Sequence, residues 1–334
     1  MPAYMQEFRC KCGECRTNCC HGWRIQLTEA EHRRITSLTP SPALSAAIRQ
    51  SFALFDPPTP DAYAYIAHGA DGRCPMLDGN GLCSLQTECG ASVQPAVCRL
   101  YPRAVRAGDP TEIVCAGSCE ATVEMLMASD APLSFVTVTG EIAGSMPPTP
   151  PVHEEETARR QACIAALQTK SLSLTEKLRA VGTVLGVPVK EETAAEFLTR
   201  ARTLLLTYGK KDSSIAPFVP GAMDAFSLSG SVTAESAALW DAANARVRAR
   251  FPRWDAWMEN LLVNHLFFVQ FPRRDLPLSA SVSALLDAYA LLTVLTVSRA
   301  DALGTKEAFA DAAAASFRRI EHSNFYETAA KVTG

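Results

Sequence analysis

The sequence predicts a mainly α-helical protein, in which a Cys-rich α+β module at the N-terminus packs on an α-helical C-terminal domain. Three observations lead to this prediction. Eleven of the twelve cysteines lie between Cys10 and Cys119, in a stretch that is rich in turn signals. A Pro-rich segment follows it, and the remainder of the chain is dominated by Ala and Leu. Apolar residues recur there at intervals of three and four, as in amphipathic helices.

The Pro-rich segment sets the predicted domain boundary. Four of the five residues in 147–151 are proline, which can continue neither a helix nor a central strand. We therefore predict a Cys-rich metal or iron–sulfur cluster module over 1–143, a connector over 144–155 and an α-helical domain over 156–334. A domain that binds a substrate would account for the length of the helical part.

The N-terminal module is predicted to contain two helices and several turns. Thr28 followed by Glu31 forms the pattern of a capping box that opens a helix over 28–38. A second helix is predicted over 118–129. The segment RCPMLDGNGLCSL (73–85) predicts two short extended pieces around a tight turn. Strong turn signals are Asp71-Gly72, Asp78-Gly79 and Asn80-Gly81.

The C-terminal part is predicted to be helical almost throughout. The predicted helices cover 154–170, 174–186, 192–208, 234–250, 254–271, 279–299 and 304–321. Together they predict a helical bundle.

Composition excludes several classes of protein. The formal net charge of -3 argues against a nucleic-acid-binding surface, and no polybasic membrane anchor is visible. The start, MPAYMQEFRCKC, has no apolar core of a secretory signal. The apolar runs 261–271 and 284–297 are shorter than the roughly 20 residues that a membrane-spanning helix needs, so we expect buried core helices. These observations predict a cytoplasmic protein.

Clustered cysteines in a reducing compartment indicate metal or cluster ligation more than a disulfide framework, although disulfides and loose structural thiols are the alternatives. Sulfur is a soft ligand that both zinc and iron–sulfur clusters accept. Eight thiols could form two four-ligand sites, although the members of each site need not follow chain order. Along the chain they form a dense group of Cys10, Cys15, Cys19 and Cys20, and a dispersed group of Cys74, Cys83, Cys98 and Cys119.

The adjacent pair Cys19 and Cys20 bears on the kind of site. In a regular helix or strand, neighbouring side chains diverge. Such a pair would reach a cluster from two sides, or serve two sites, more readily than it would hold one zinc ion. The pair therefore favours a cluster over a simple zinc knuckle.

Several motifs resemble the flagellin lysine N-methylase family, one of the groups with a CxxCxxCC-type zinc- or iron-chelating region. The motifs are C-x4-C-x3-C-C-x-G-W (10–23), D-G-x-C-P-x-L (71–77), G-L-C-S-L (81–85), P-A-V-C-R-L-Y-P-R (95–103), G-S-C-E (117–120), E-N-L-L-V-N-H-L-F-F-x-x-F-P (259–272) and F-R-R-I-E-H-S-N-F (317–325). They are spread over both halves of the chain.

The resemblance implies methyl transfer from S-adenosylmethionine to lysine side chains of flagellin or a similar surface protein. It also implies an iron–sulfur cluster, 4Fe-4S by expectation and with zinc as the alternative, on matching cysteines. These are Cys10, Cys15, Cys19, Cys20, Cys74, Cys83, Cys98 and Cys119. Cys12, Cys89 and Cys115 fall outside the family positions, and Glu120 replaces the proline that usually follows the last cysteine.

Cofactor-binding residues are predicted just after Cys98. Arg99, Tyr101 and Arg103 surround a proline, and an arginine fork suits the carboxylate of S-adenosylmethionine. A structural ion pair with nearby acids is the alternative.

Catalytic residues are predicted near 260. Lysine methylation requires a neutral amine, and Glu259, Asn260 and Asn264 could line a desolvated pocket for it. The alternative is a buried polar layer between helices, because Asn260 and Asn264 lie one turn apart. Arg319, Glu321, His322 and Asn324 form a further polar group, for which helix capping is the simplest interpretation.

The sequence therefore predicts a cytoplasmic protein-lysine N-methyltransferase with a protein substrate and no nucleic-acid or membrane partner. A non-enzymatic zinc- or iron–sulfur-binding protein, acting as a sensor or store, is the first alternative. A redox enzyme that uses the cluster on a small molecule is the second. No motif of the Rossmann, SET or radical S-adenosylmethionine classes is present in the sequence.

Overall fold

A computed structural model gives the fold, and it describes residues 1–22, 24–108, 110–140, 154–210 and 212–333. Helices dominate the described ranges and strands are few and short, so the predicted mainly α class is confirmed. The chain divides into two compact units. We call Arg9–Ala104 the thiol unit. The helical unit comprises Met1–Phe8, Val105–Val138 and Thr149–Gly334.

The predicted connector over 144–155 falls largely on residues 141–153, which lie outside the described ranges. The boundary at that connector therefore stays a prediction. Within the described residues, the chain passes from the thiol unit to the helical unit after Ala104.

The thiol unit is built from a small antiparallel sheet and four helices. The sheet has the order β1-β3-β2, with Gln26 opposite Tyr65 and Phe52 opposite Ile66. The elements are β1 Gln26–Leu27, α1 Glu29–Thr36, α2 Pro42–Ser51, β2 Phe52–Leu54, β3 Ala64–Ile66, α3 Ser84–Cys89 and α4 Ala96–Leu100.

The capping box of α1 is confirmed. The Thr28 side chain accepts from the Glu31 amide, and the Glu31 carboxylate accepts from the Thr28 amide. Two orphan donors of the first turn are thereby satisfied. Among the helices of this unit, α2, α3 and α4 were not predicted from the sequence.

The helical unit begins with Met1–Phe8 and continues after the thiol unit. β4 Arg103–Arg106 starts in the thiol unit and pairs with β5 Glu112–Cys115, and α5 Glu120–Ala128 follows. The remaining helices are α6 Glu154–Leu167, α7 Leu174–Val184, α8 Ala194–Tyr208, α9 Val219–Ala225, α10 Ala234–Arg250, α11 Trp254–Phe268, α12 Leu278–Leu303, α13 Lys306–Glu321 and α14 Phe325–Thr333.

The seven long helices predicted for this unit are confirmed, with ends that differ by up to about four residues. The helix predicted over 118–129 is confirmed as α5. Helices α9 and α14 were not predicted. Capping boxes at Ser173 and Thr193 define the starts of α7 and α8.

The longest helix, α12, lies in the core of the helical unit and packs against α8, α10, α13 and α14. By length and composition it is the one helix in the described residues that could cross a membrane. However, 83% of its most apolar window is buried inside the protein. That burial is typical of a core helix of a soluble protein, as predicted, and α11 is likewise almost entirely buried.

Candidate metal centre

All twelve cysteines lie in described parts of the chain, and none of them forms a disulfide. The alternative of a disulfide framework has no support in this arrangement. The cysteines differ in exposure: Cys10, Cys12 and Cys19 are exposed, whereas Cys115 and Cys163 are buried.

A short antiparallel contact brings Cys20 next to Cys74. The Cys74 amide donates to the Cys20 carbonyl at 2.8 Å, and the Gly22 amide donates to the Gly72 carbonyl at 2.8 Å. Gly72 has a φ of 78°, a left-handed conformation that glycine adopts without strain. The predicted Asp71-Gly72 turn thus places two distant family motifs side by side.

A second turn places Cys83 close to Cys74. The Asp78 side chain accepts from the amides of Asn80 and Leu82, both at 2.8 Å, and so holds the turn closed. Leu77 pairs with Cys83 across this turn. The extended pieces predicted for 73–85 are therefore present, although they are reduced to a single bridge.

Helix α4 carries Cys98, which lies within electrostatic range of the thiols of Cys19, Cys74 and Cys83. Burial raises the pKa of the Cys98 thiol, and charge on those neighbours would raise it further. Burial likewise raises the pKa of Cys74 to about 11. In the metal-free protein both groups are neutral thiols near pH 7.

The adjacent Cys19 and Cys20 side chains share a hydrogen bond, which is the largest cause of the raised pKa of the Cys20 thiol. Asn18 shapes this segment, since its side chain accepts from the Cys20 amide at 2.7 Å. This segment is neither helix nor strand, so the divergence expected in those elements does not apply to the pair. That the adjacent pair favours a cluster stays a prediction.

Five thiols thus gather in the thiol unit, and we call them the inner thiols. They are Cys19, Cys20, Cys74, Cys83 and Cys98. This grouping takes members from both of the groups predicted from the sequence.

Two exposed cysteines lie beside the inner thiols. The Cys12 amide donates to the Cys10 sulfur at 3.3 Å, and Cys12 is also within electrostatic range of Cys19. Gly13 lies against the turn at Asn80, where an added Cβ would come within 2.5 Å of the Asn80 carbonyl oxygen. Glycine is therefore needed at position 13, where the turn Cys12–Glu14 contacts the turn at Asn80.

The other cysteines are distributed more widely. Cys15 follows the 3-10 turn Cys12–Glu14, and Cys89 packs against the core of the thiol unit. Cys119 is the N-cap residue of α5 in the helical unit. The ligand roles predicted for Cys10, Cys15 and Cys119 stay predictions.

The inner thiols suit a thiophilic metal by their chemistry. As placed, no group of three or more His, Cys, Asp or Glu residues in the described ranges has the spacing of a formed metal site. However, the inner thiols include more than four soft donors in a partly buried setting, and four complete a tetrahedral zinc site or one cubane cluster. Bound metal would also relieve the mutual repulsion of their thiolates. By their donor chemistry, although not by their spacing as placed, the inner thiols therefore suit a zinc ion or an iron–sulfur cluster.

The predicted cofactor residues lie at the end of α4. Arg99 is half-buried and donates to the Ser92 carbonyl at 3.4 Å, whereas Arg103 is exposed and donates to the Leu100 carbonyl at 3.3 Å. Tyr101 is the C-cap residue of α4. These residues follow Cys98 within the thiol unit, and their predicted role stays a prediction.

The predicted catalytic residues lie on α11 in the helical unit and are nearly inaccessible. Asn260 accepts from the Leu133 amide at 2.8 Å and donates to the Leu126 carbonyl at 3.2 Å. Asn264 accepts from the Tyr4 hydroxyl at 2.8 Å. Glu259 forms an ion pair with Lys177. The geometry matches the buried polar layer considered as the alternative, and the catalytic role stays a prediction.

A second buried network in the helical unit was not predicted as a site. The Glu321 carboxylate accepts from the Gly117 amide at 2.8 Å and contacts His265 Nδ1 at 3.1 Å. His265 Nε2 in turn contacts the Tyr326 hydroxyl at 2.9 Å. Burial raises the pKa values of both Glu321 and Tyr326. Part of the signal was in the sequence, because three of the quoted motifs supply Gly117, His265 and Glu321, whereas Tyr326 lies one residue after the last motif.

Comparison with known protein families gives a match in the region that contains the inner thiols. Residues 11–120 match the CxxCxxCC family, which is described as "Putative zinc- or iron-chelating domain". The predicted resemblance is confirmed over these residues. All five inner thiols lie within the match, as does Cys12, whereas Cys10 lies one residue before it.

Individual relatives match over a similar length. A lysine-N-methylase of Salmonella typhimurium is 30% identical over 104 residues, and one of Salmonella choleraesuis is 28% identical over 103 residues. Each alignment covers 31% of this chain and 25% of the relative, so it spans a quarter of those proteins. The flagellar biosynthetic protein FliU of Salmonella muenchen is 30% identical over 104 residues, which are 60% of its length. No solved structure matches.

Proposed function

We propose that this chain is a cytoplasmic, S-adenosylmethionine-dependent protein-lysine N-methyltransferase that carries an iron–sulfur cluster or zinc on the inner thiols. The observation that carries the proposal is the gathering of five thiols from distant motifs within the part of the chain that resembles proteins named lysine-N-methylase. Its substrate is a lysine-bearing surface of flagellin or a similar protein, as the name of the FliU relative suggests.

In this proposal, the thiol unit holds the metal and the guanidinium groups of Arg99 and Arg103 bind the carboxylate of S-adenosylmethionine. An arginine fork can donate two parallel hydrogen bonds to a carboxylate. S-adenosylmethionine supplies the methyl group when it is bound. The chain must orient the lysine amine and keep it neutral, because a protonated amine has no lone pair for the attack.

The three residues predicted to be catalytic lie on α11 and already have ionic or hydrogen-bonding partners. Glu259 is already paired with Lys177, and the amides of Asn260 and Asn264 are hydrogen-bonded. Their observed partners support a role in holding the buried segments of the helical unit. A direct role at the reacting amine would require these bonds to be exchanged.

Two measurements test the proposal. Anaerobically purified protein is analysed for iron, sulfide and zinc, and its absorption spectrum is recorded with and without S-adenosylmethionine. Flagellin is then incubated with the protein and S-adenosylmethionine, and its lysines are examined by mass spectrometry. The proposal expects bound metal and methylated lysines that disappear when S-adenosylmethionine is withheld. Metal without methylation would favour the non-enzymatic alternative, and absence of metal would contradict the proposal.

A further inference from the structure

The Glu31 carboxylate joins two helices of the thiol unit. Its Oε2 accepts from the Thr28 amide at 2.9 Å and from the Thr28 hydroxyl at 3.1 Å, which completes the capping box of α1. Its Oε1 accepts from the Ala96 amide at 2.7 Å, across a separation of 65 residues. One side chain therefore caps its own helix and a distant one.

Helix α4 depends on this contact for its first turn. It has only five residues, and its N-cap residue, Pro95, provides no side-chain hydrogen bond. A single helical turn is unstable by itself, because it fixes several residues for very few hydrogen bonds. Glu31 satisfies an amide that the helix leaves without an internal partner. The carboxylate also lies at the positive end of the α4 dipole.

A second contact from α1 holds the segment that enters α4. Arg34, one turn after Glu31, donates to the Gln94 carbonyl at 3.3 Å. Gln94 and Pro95 are both buried. Helix α1 thus holds the chain on both sides of Pro95 and sets where α4 begins.

The position of α4 determines the position of Cys98, which lies two residues after Ala96 and within electrostatic range of Cys19, Cys74 and Cys83. We propose that Glu31 is the positioning residue for Cys98, so that a helix-capping carboxylate holds one inner thiol in place for the metal. This inference rests on the metal site of the proposed function. It extends that site to a residue that is itself no ligand.

The expected effect follows from the strict geometry of metal–sulfur bonds, which tolerate deviations of about 0.2 Å. Groups that orient ligands typically change metal affinity by about 10–100-fold when they are replaced. Glu31→Gln keeps the shape of the side chain. Thr28 and Ala96 donate to different oxygens of Glu31, and glutamine has an NH2 group in place of one of them, so in this geometry it can accept from Thr28 or from Ala96 but not from both.

Thr28→Ala is the matched control. It removes the side-chain half of the same capping box, yet it leaves the contact between Glu31 and the Ala96 amide. Glu196→Gln is a second control, because Glu196 completes the capping box of α8 in the helical unit. Thr28→Ala loses a capping hydrogen bond, Glu196→Gln neutralises an equivalent capping carboxylate, and neither change releases α4.

The test uses full-length protein loaded with zinc alone. Zinc release to a chromogenic chelator is timed, and the alkylation of each cysteine is followed by peptide mapping. We expect Glu31→Gln to release zinc about 10–100-fold faster than the wild type. Cys98 should be alkylated before Cys74, whereas both controls should behave as the wild type.

Three outcomes would overturn the inference. One is an unchanged rate of zinc release from Glu31→Gln, and another is equally fast release from Thr28→Ala. The third is simultaneous alkylation of all inner thiols in Glu31→Gln, which would indicate unfolding of the thiol unit. Failure of the proposed metal site is distinguishable from these, because the wild type itself would then retain no zinc.

Discussion

The buried asparagines of α11 were open to two interpretations, a catalytic pocket and a buried polar layer between helices. Asn260 and Asn264 were predicted to line a catalytic pocket because lysine methylation requires a neutral amine in a desolvated site, and their spacing of one turn equally suited a buried polar layer. In the structure, the side chain of Asn260 is 2% exposed and satisfies main-chain atoms of Leu126 and Leu133. A buried polar group without a partner is costly, so this amide stabilises the segment after α5.

Replacing Asn260 separates the two interpretations. We expect Asn260→Ala to lower the free energy of unfolding by about 1–3 kcal/mol, because the buried Leu133 amide loses its acceptor. Urea denaturation followed by circular dichroism measures this change. Asn244→Ala is the control, since the Asn244 amide group donates to the Trp240 carbonyl and accepts from Arg248, both on its own helix. Unchanged stability with lost methyl transfer would instead support the catalytic prediction.

At the scale of elements, the long helices were predictable because their signals are local. Apolar residues at intervals of three and four and the capping boxes at Thr28, Ser173 and Thr193 are all contained in the elements they define. Helix α2 also has such a signal, a Ser41 cap followed by a proline, which was overlooked. Helix α4 has none, because its cap comes from Glu31 on another helix.

The grouping of the cysteines could not be predicted for the same reason. The ligand types were visible in the sequence, and the inner thiols are all among the predicted ligands. Their division into a dense and a dispersed group followed chain order, however. The structure instead joins Cys20 to Cys74 through a main-chain hydrogen bond between distant segments, which no local pattern specifies.

Two helical glycines provide a test of how closely the elements pack. In α7, a Cβ on Gly182 would lie 2.5 Å from both the Val187 carbonyl oxygen and a Val189 methyl group. In α9, a Cβ on Gly221 would meet nothing within 4 Å. Inside a helix, alanine is favoured over glycine by about 0.5–1 kcal/mol when space allows.

We therefore expect Gly221→Ala to raise the midpoint of thermal unfolding and Gly182→Ala to lower it. The clash at Gly182 involves main chain as well as a side chain, so relaxation requires a shift of the segment after α7; overpacking of this kind typically costs about 1–3 kcal/mol. Calorimetry of the two variants beside the wild type measures both shifts. Equal effects of the two substitutions would contradict the packing described for α7.

At the scale of the whole molecule, the two units have very different cores. The buried core of the thiol unit consists of seven side chains: Leu27, Ile35, Leu44, Ile48, Ile66, Met76 and Leu85. The helical unit has a far larger core, which runs through α5 to α14. Small domains with small cores usually need a disulfide or a metal for stability. We expect metal on the inner thiols to add to the stability that this small core provides.

Metal removal should consequently destabilise the thiol unit and leave the helical unit folded. We expect a chelator under reducing conditions to abolish the protection of thiol-unit amides in hydrogen exchange, while amides of α12 and α13 keep theirs. Lowering the pH should also weaken metal binding and so reduce the hydrogen-exchange protection of the thiol-unit amides. The pKa of Cys74 is raised to about 11 without metal, so binding must displace a proton there, and protons compete more strongly as the pH falls.

The pH dependence gives this prediction a second, independent measurement. Zinc titrated into weakly buffered metal-free protein should release protons, and its affinity should rise with pH throughout the range below about 11. Cys163→Ser is the control, because Cys163 lies buried in the core of the helical unit and should not alter the protons released. Loss of protection in both units together would contradict a metal that stabilises the thiol unit alone. Zinc binding without proton release would exclude the inner thiols as its ligands, since neutral thiols must ionise to bind it.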